Sequence, residues 1–146
     1  MAKTWTKAVC PCRRVEMRVL VDLAEGTRRC NCTCCRKRGW WSVAVPPDAV
    51  EVVEGAEDVV EDEGNPYWTG RRCGRCGVTL FGTVSAPEAG GPRAIANVRL
   101  LEGVSFHEVP VEWLDGLHDT WASLGTTVHR EPEPVRFPVE APAKWG

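Results

Sequence analysis

Eight cysteines in three short clusters are the feature that most restricts how this chain of 146 residues can fold. The clusters are Cys10-Pro11-Cys12, Cys30-Asn31-Cys32-Thr33-Cys34-Cys35 and Cys73-Gly74-Arg75-Cys76. Cysteines two or three positions apart can direct their sulfurs at one ion, whereas disulfides mostly join residues distant in sequence. Structural zinc takes four sulfur or nitrogen ligands, and catalytic zinc takes three protein ligands and an exchangeable one. The cysteine spacing therefore predicts metal binding.

The rest of the sequence also favours metal over disulfides. The first residues, Met1 to Thr6, lack the apolar segment of a signal peptide, and no stretch approaches the roughly 18 apolar residues of a membrane helix. We therefore expect a cytoplasmic protein, where reducing conditions disfavour structural disulfides. The net charge is −2, so bulk charge does not indicate a nucleic-acid surface. We expect neither nucleic acid nor membrane as a partner.

The hydrophobic pattern predicts a mainly β domain. Strands are predicted over residues 15–21, 40–45, 50–53, 78–84 and 94–101, from alternating or short apolar runs bounded by glycine and proline. Residues 54–64 are predicted as a loop or hairpin, and residues 109–123 hold the only plausible helical turns. Four prolines after residue 131 predict an extended tail. We therefore expect a single zinc-binding domain over 1–130 and a proline-rich tail over 131–146.

The two-cysteine clusters are each half of a tetrahedral site, and their most economical completion is each other. This pairing predicts a structural zinc held by Cys10, Cys12, Cys73 and Cys76. Such a site would connect the start of the chain to its middle, and its binding energy would become folding energy. The central cluster then keeps its own cysteines. Cys34 is expected to be a spare thiol, because adjacent residues point in different directions.

The three clusters occur in the order C-x-C, C-x-C-x-x-C-R-x-x-G and C-x-x-C-G-x-x-L-F-G. With Val45-Pro46-Pro47, Asn97-Val98-Arg99-Leu100-Leu101 and Leu114-Asp115-Gly116, this order resembles the glutathione-dependent formaldehyde-activating enzyme family, which also contains centromere protein V. The resemblance spans residues 9–121. It departs from the family at Arg13, where a glycine is usual, and at Cys34, where no cysteine is required.

The resemblance implies an Mss4-like fold of coiled antiparallel β-sheets with zinc knuckles and two zinc ions per chain. One is the structural zinc, and the other is a catalytic zinc held at the substrate site by Cys30, Cys32 and Cys35. It also implies a carbon–sulfur lyase-like activity, in which a thiol such as glutathione takes the open zinc position and loses its proton. The thiolate would then combine with an aldehyde such as formaldehyde, or an adduct such as S-hydroxymethylglutathione would be cleaved.

An alternative from another functional class is a non-catalytic zinc module that carries a thiol or binds a protein partner, because fold does not fix function. Basic residues around the central cluster would either attract an anionic thiol or form a solvated surface: Arg28, Arg29, Arg36, Lys37 and Arg38.

Several further side chains have two interpretations each. The candidate fourth ligands are His107, His118 and His129, each isolated in the sequence. Tryptophans that either wall a pocket or pack in the core are Trp40, Trp41 and Trp68. Asn97 and Arg99 serve either structural hydrogen bonding or substrate contact, and no general base is evident.

Overall fold

The computed structural model describes residues 3–64, 67–86 and 91–131, which form two β-sheets and a short helix. The elements in chain order are β1 (Thr4–Val9), β2 (Glu16–Val21), β3 (Thr27–Cys30), α1 (Thr33–Arg38), β4 (Ser42–Val45), β5 (Val50–Glu54), β6 (Val59–Glu61), β7 (Trp68–Cys73), β8 (Thr79–Ala86), β9 (Gly91–Asn97), β10 (Pro110–Leu114) and β11 (Ser123–Val128). The prediction of a mainly β, Mss4-like fold is confirmed.

The smaller sheet has the strand order β1-β2-β5, and the larger has the order β11-β10-β3-β4-β9-β8-β7-β6. Among these described strands, all pairs are antiparallel except β3 and β10, which run parallel. In that parallel pair Leu114 lies opposite Cys30. The residues after Leu114 therefore begin beside the central cysteines, although about 80 positions separate the two segments.

The core lies between the two sheets. Strand β2 alternates as predicted, with Met17 and Val19 fully buried and Arg18 exposed between them. From the larger sheet, the fully or almost fully buried side chains include Leu80, Ala94 and Ala96. Burying each large apolar side chain contributes about 1.5–3 kcal/mol before conformational entropy is counted. This shared core fixes the position of β3, from which the central cysteines extend.

The central cluster is not the simple loop that the spacing suggests, because Thr33–Arg38 form a helix. The Sγ atom of Cys32 accepts a hydrogen bond from the Cys35 amide at 3.2 Å and so caps the helix. The helix ends at Gly39, whose φ of 65° is the left-handed conformation that glycine adopts readily. No side chain of this helix is fully buried, so no apolar periodicity marks it in the sequence.

The predicted helical turns over 109–123 are wrong. Residues 110–114 are β10, which pairs with β3 and β11 and buries Val111. Pairing on both edges outweighs the weak helical pattern. The predicted strand over 94–101 ends at Asn97, because the Asn97 side chain accepts a hydrogen bond from the Arg99 amide at 3.0 Å and starts a 3₁₀ turn. The predicted tail, beyond its first residue Glu131, falls outside the described residues.

Candidate metal centres

The first cysteine group joins the start of the chain to its middle. The Sγ atoms of Cys10, Cys12, Cys73 and Cys76 all lie within 4.8 Å of one another. The Sγ–Sγ distance is 3.5 Å between Cys10 and Cys12 and 3.6 Å between Cys12 and Cys73. Sulfurs at the corners of a zinc tetrahedron are about 3.8 Å apart. All eight cysteines are free thiols, so this group fits a metal ion and is not a pair of disulfides.

Turns in both chain segments direct these sulfurs inward. The Val15 amide donates to the Cys10 Sγ atom at 3.3 Å, and Arg13 between them has a φ of 65°. Arg13 thus adopts the left-handed conformation that the family's usual glycine would adopt without strain. Cys73 ends β7, and its carbonyl accepts a hydrogen bond from the Gly77 amide at 2.8 Å. The departure at Arg13 therefore leaves the turn geometry intact.

The second group is local and has three members. The Sγ atoms of Cys30, Cys32 and Cys35 lie within 4.8 Å of one another. Cys30 ends β3, Cys32 caps α1, and Cys35 lies in the first half of α1. The Cys32 amide also donates to the Cys30 Sγ atom at 3.4 Å. Backbone N–H groups that point at sulfur suit the thiolate form, which is the form that binds metal.

No fourth ligand completes this group within the described part of the chain. Cys34 is exposed on α1 and lies outside the group, although the next residue, Cys35, belongs to it. Neither carboxylates nor the histidines join it, so none of the candidate fourth ligands is placed there: His107, His118 and His129.

The metal-free thiols differ in how readily they ionise. Burial, with hydrogen bonds among the thiols, raises the pKa of Cys35. Burial also opposes ionisation of Cys73, but hydrogen bonds from the Cys76 and Arg75 amides outweigh it and lower the pKa of Cys73 to about 7. The pKa of Cys32 is lowered as well, against the effect of burial, chiefly by the Cys35 amide. Collecting several thiolates at one place requires a cation, and each group offers the sulfur ligands that zinc prefers.

A loop that follows β10 packs against the second group. Gly116 touches Cys30 so closely that an added Cβ would lie 2.3 Å from the Cys30 Sγ atom. Asn31, between two of the cysteines, donates to the Asp115 carboxylate at 3.0 Å and accepts from the Leu117 amide at 2.9 Å. Asp115 also contacts the ring of His118 at 2.9 Å. We call residues 115–121 the covering loop.

The Asp115 carboxylate is the centre of the covering loop's hydrogen bonds. Its pKa is lowered, chiefly by the hydrogen bond from Asn31 and further by His118, so the carboxylate is charged at neutral pH. The Leu114-Asp115-Gly116 motif contributes to the family resemblance, but the sequence alone indicates no role for Asp115. Only the parallel pairing of β3 with β10 could have indicated that this motif lies beside Cys30.

Two arginines near the segment that carries the second group, Arg29 and Arg99, lie against aromatic rings. The Arg29 guanidinium carbon is 5.5 Å from the Trp41 ring centre and 5.7 Å from that of Trp113, and the Arg99 carbon is 5.9 Å from Trp41. The Arg99 Nε atom donates to the Gly39 carbonyl at 2.8 Å. Burial and then repulsion by Arg99 lower the pKa of Arg29, which nevertheless stays charged as arginine does.

The other predicted contacts are mainly structural. Trp41 is buried, and its Nε1 atom donates to the Thr27 hydroxyl at 2.7 Å. The rings of Trp40 and Trp68 meet edge to face at 6.2 Å. Asn97 is buried, and its side chain donates to the Thr79 carbonyl at 2.9 Å. Of these predicted contacts, Arg99 keeps N–H groups that can contact a ligand.

A cavity of about 350 Å³ lies elsewhere, with a lining that includes Asp22, Arg28 and Glu112 but no cysteine. Arg28 pairs with Glu112 across that region at 3.5 Å. The cavity therefore does not coincide with either cysteine group, and the chemistry of the sulfur ligands is the stronger indication of a functional site.

Comparison with known proteins agrees with the geometry of the cysteines. A crystal structure of a Rhodobacter sphaeroides protein matches with a TM-score of 0.55 and 29% sequence identity, covering 68% of this chain and 90% of that one. No curated protein sequence matches significantly. Within the described residues, no helix has the length and apolar character needed to cross a membrane. The family model named glutathione-dependent formaldehyde-activating enzyme matches residues 5–108, which include all eight cysteines, and the chain therefore belongs to that family.

Proposed function

We propose that this protein binds zinc at both cysteine groups and uses the second group to bind a thiol such as glutathione. It then acts as a carbon–sulfur lyase-like enzyme on a thiol–aldehyde adduct such as S-hydroxymethylglutathione. The observation that supports this proposal is that Cys30, Cys32 and Cys35 converge without a fourth ligand from the described residues. A zinc ion with three protein ligands has one position for an outside group, which is the arrangement of catalytic sites.

A zinc ion held there would act as a Lewis acid that favours the thiolate form of an incoming thiol. The chain's own residues prepare the site for that chemistry. Backbone amides support the sulfurs of Cys30 and Cys32, and the covering loop is bonded to Asn31 between them. In the proposed reaction, the thiol S–H bond breaks, a sulfur–carbon bond forms to the aldehyde carbon, and the carbonyl oxygen gains a proton. Nothing is oxidised or reduced, so no redox partner is required.

The test combines metal content with turnover. Protein purified under reducing conditions should contain two zinc ions per chain and should accelerate the reaction of glutathione with formaldehyde above its uncatalysed rate, measured by NMR exchange. Cys35→Ser should abolish the acceleration because it removes a sulfur from the second group. Cys34→Ser is the matched control on the same helix and should retain it. Disulfides with one zinc or none would contradict the proposal.

X-ray absorption tests whether the coordination position is open. Zinc–sulfur bonds are about 2.3 Å long and zinc–oxygen bonds about 2.0–2.2 Å, so the two can be distinguished. Adding glutathione should change the coordination shell of the second zinc from three sulfurs and one light atom to four sulfurs. The first zinc, with four cysteine ligands, should contribute the same signal before and after the addition. If the second zinc already has four sulfur ligands without glutathione, and Cys34→Ser removes one of them, the site is closed and the protein is the non-catalytic zinc module instead of an enzyme.

A further inference from the structure

We infer that Arg29 and Arg99, supported by the rings of Trp41 and Trp113, form a binding site for a carboxylate group of the thiol substrate. This inference rests on the proposed function, because it assigns residues to the recognition of the same substrate. The substrate class it specifies is a thiol that carries a carboxylate. Glutathione, with two carboxylates, is the representative used in the test below.

The first argument is the lack of acidic partners. Most arginines of the described residues form ion pairs with Asp or Glu: Arg13, Arg14, Arg18, Arg28, Arg71, Arg72 and Arg130. Arg29 and Arg99 have no ion pair among the described residues, although acidic residues outnumber basic ones in the chain. The other arginines without an ion pair among the described residues are Arg36, Arg38, Arg75 and Arg93. Arg29 is partly buried, and Arg99 is exposed but is fixed by its Nε–H bond to the Gly39 carbonyl.

The second argument is that the fold brings the two positive charges together. Both guanidinium groups lie within 6 Å of the Trp41 ring centre, and Arg29 also lies over Trp113. Cation–π contacts offset part of the repulsion and desolvation, but they add no negative charge. A carboxylate between the two groups would supply that charge, and guanidinium N–H groups match a carboxylate in geometry.

The third argument is the connection of both arginines to the second cysteine group. Arg29 directly precedes Cys30 on β3, and Arg99 donates from Nε to the carbonyl of Gly39, the residue that ends α1. Arg29 therefore lies in the chain at the start of the segment that carries all three cysteines, and Arg99 is bonded to the residue that follows its helix. This Nε–H bond fixes the Arg99 side chain and leaves its terminal N–H groups for a ligand.

Calorimetric titration with S-methylglutathione tests the carboxylate site separately from metal chemistry. This molecule keeps both carboxylates, but its methylated sulfur cannot form a thiolate. Arg29→Gln and Arg99→Gln should each weaken its binding by about ten- to a hundredfold, the usual effect of losing a hydrogen bond to a charged group. Arg28→Gln is the matched control, since Arg28 precedes Arg29 and already pairs with Glu112. It should bind like the parent.

A second measurement separates recognition from misfolding. Cysteamine is a thiol without a carboxylate, so its binding to the zinc-loaded protein should be the same in all four proteins. If Arg29→Gln and Arg99→Gln bind S-methylglutathione as tightly as Arg28→Gln does, the inference is overturned even if the parent is an active lyase. Equal losses for cysteamine would overturn it too, since they would indicate a general structural defect. If the parent shows no turnover, but Arg29→Gln and Arg99→Gln lose S-methylglutathione binding and keep cysteamine binding, the carboxylate site is supported and the lyase is rejected.

Discussion

Replacing Gly116 by alanine tests whether the covering loop shapes the second cysteine group. The added Cβ would lie 2.3 Å from the Cys30 Sγ atom and 3.1 Å from the Trp121 ring. Ordinary non-bonded contacts of this kind begin near 3.5 Å, so the loop must retreat by roughly 1.2 Å. The Asn31–Asp115 hydrogen bond is 3.0 Å long and would then exceed hydrogen-bonding distance. We expect a loss of stability of about 1–3 kcal/mol from the overpacking.

The more specific expectation concerns metal affinity. Groups that support metal ligands typically contribute about 10–100-fold to affinity, and Asn31 lies between two of the cysteines. Competition against a chromophoric chelator should therefore show that Gly116→Ala lowers the affinity for one of the two metal ions by this factor and leaves the affinity for the other unchanged. Circular dichroism melting measures the accompanying change in the free energy of unfolding.

Gly103→Ala provides the control for lost stability alone. Gly103 has a φ of 75°, and no atom lies within 4 Å of the position that an added Cβ would take, so alanine there introduces backbone strain without a clash. That strain costs about 1–3 kcal/mol, which is comparable to the overpacking at Gly116. If Gly103→Ala weakens metal binding as much as Gly116→Ala does, or if neither change affects it, the covering loop has no specific role at the cysteines.

Three other sets of substitutions test separate parts of the structure. Cys76→Ser should prevent stable folding, because its group joins distant segments, whereas Cys35→Ser should keep the fold and lose thiol binding; equal melting temperatures would contradict this. Asp115→Asn should destabilise the protein at neutral pH. Because the folded pKa of Asp115 is lowered, its contribution is present above the unfolded pKa and is lost as the pH falls through the folded pKa, so the two melting curves should converge in acid. Gly82→Ala should cost about 1–3 kcal/mol in chemical denaturation, since its Cβ would lie 2.2 Å from the Trp68 ring.

The fold was predictable where one face of a strand is buried. In β2 the buried Met17 and Val19 alternate with exposed Arg18, which is the pattern that identifies a strand from sequence. Helix α1 was not predictable in this way, because Cys32 caps it and its side chains are not packed in the core. Strand β10 was missed because it is stabilised by pairing with β3, which is distant in sequence.

The cysteine clusters were predictable because ligand spacing is a local property, and the first group was predictable because its two clusters are complementary halves of one four-ligand site. The C-x-C and C-x-x-C spacings bring sulfurs together within one turn, whatever the rest of the fold. The covering loop and the arginine pair depend on contacts between distant residues. Arg99 reaches Gly39 across 60 positions, and Asn31 reaches Asp115 across 84. Spacing alone cannot indicate such contacts, so sequence reasoning left Arg99 with two interpretations and Asp115 with none.

The different construction of the two cysteine groups explains why we assign them different roles. The first group joins Cys12 to Cys73, which are 61 positions apart, so a metal ion there restricts the unfolded chain as well as completing the core. The second group spans six residues and closes almost no loop, so a metal ion there contributes little to folding through chain entropy. A metal ion at the second group would therefore stabilise the fold only slightly, and no fourth ligand is present among the described residues. Two arginines without ion pairs among those residues lie near the same segment. Such a site is better suited to bind a substrate than to maintain structure.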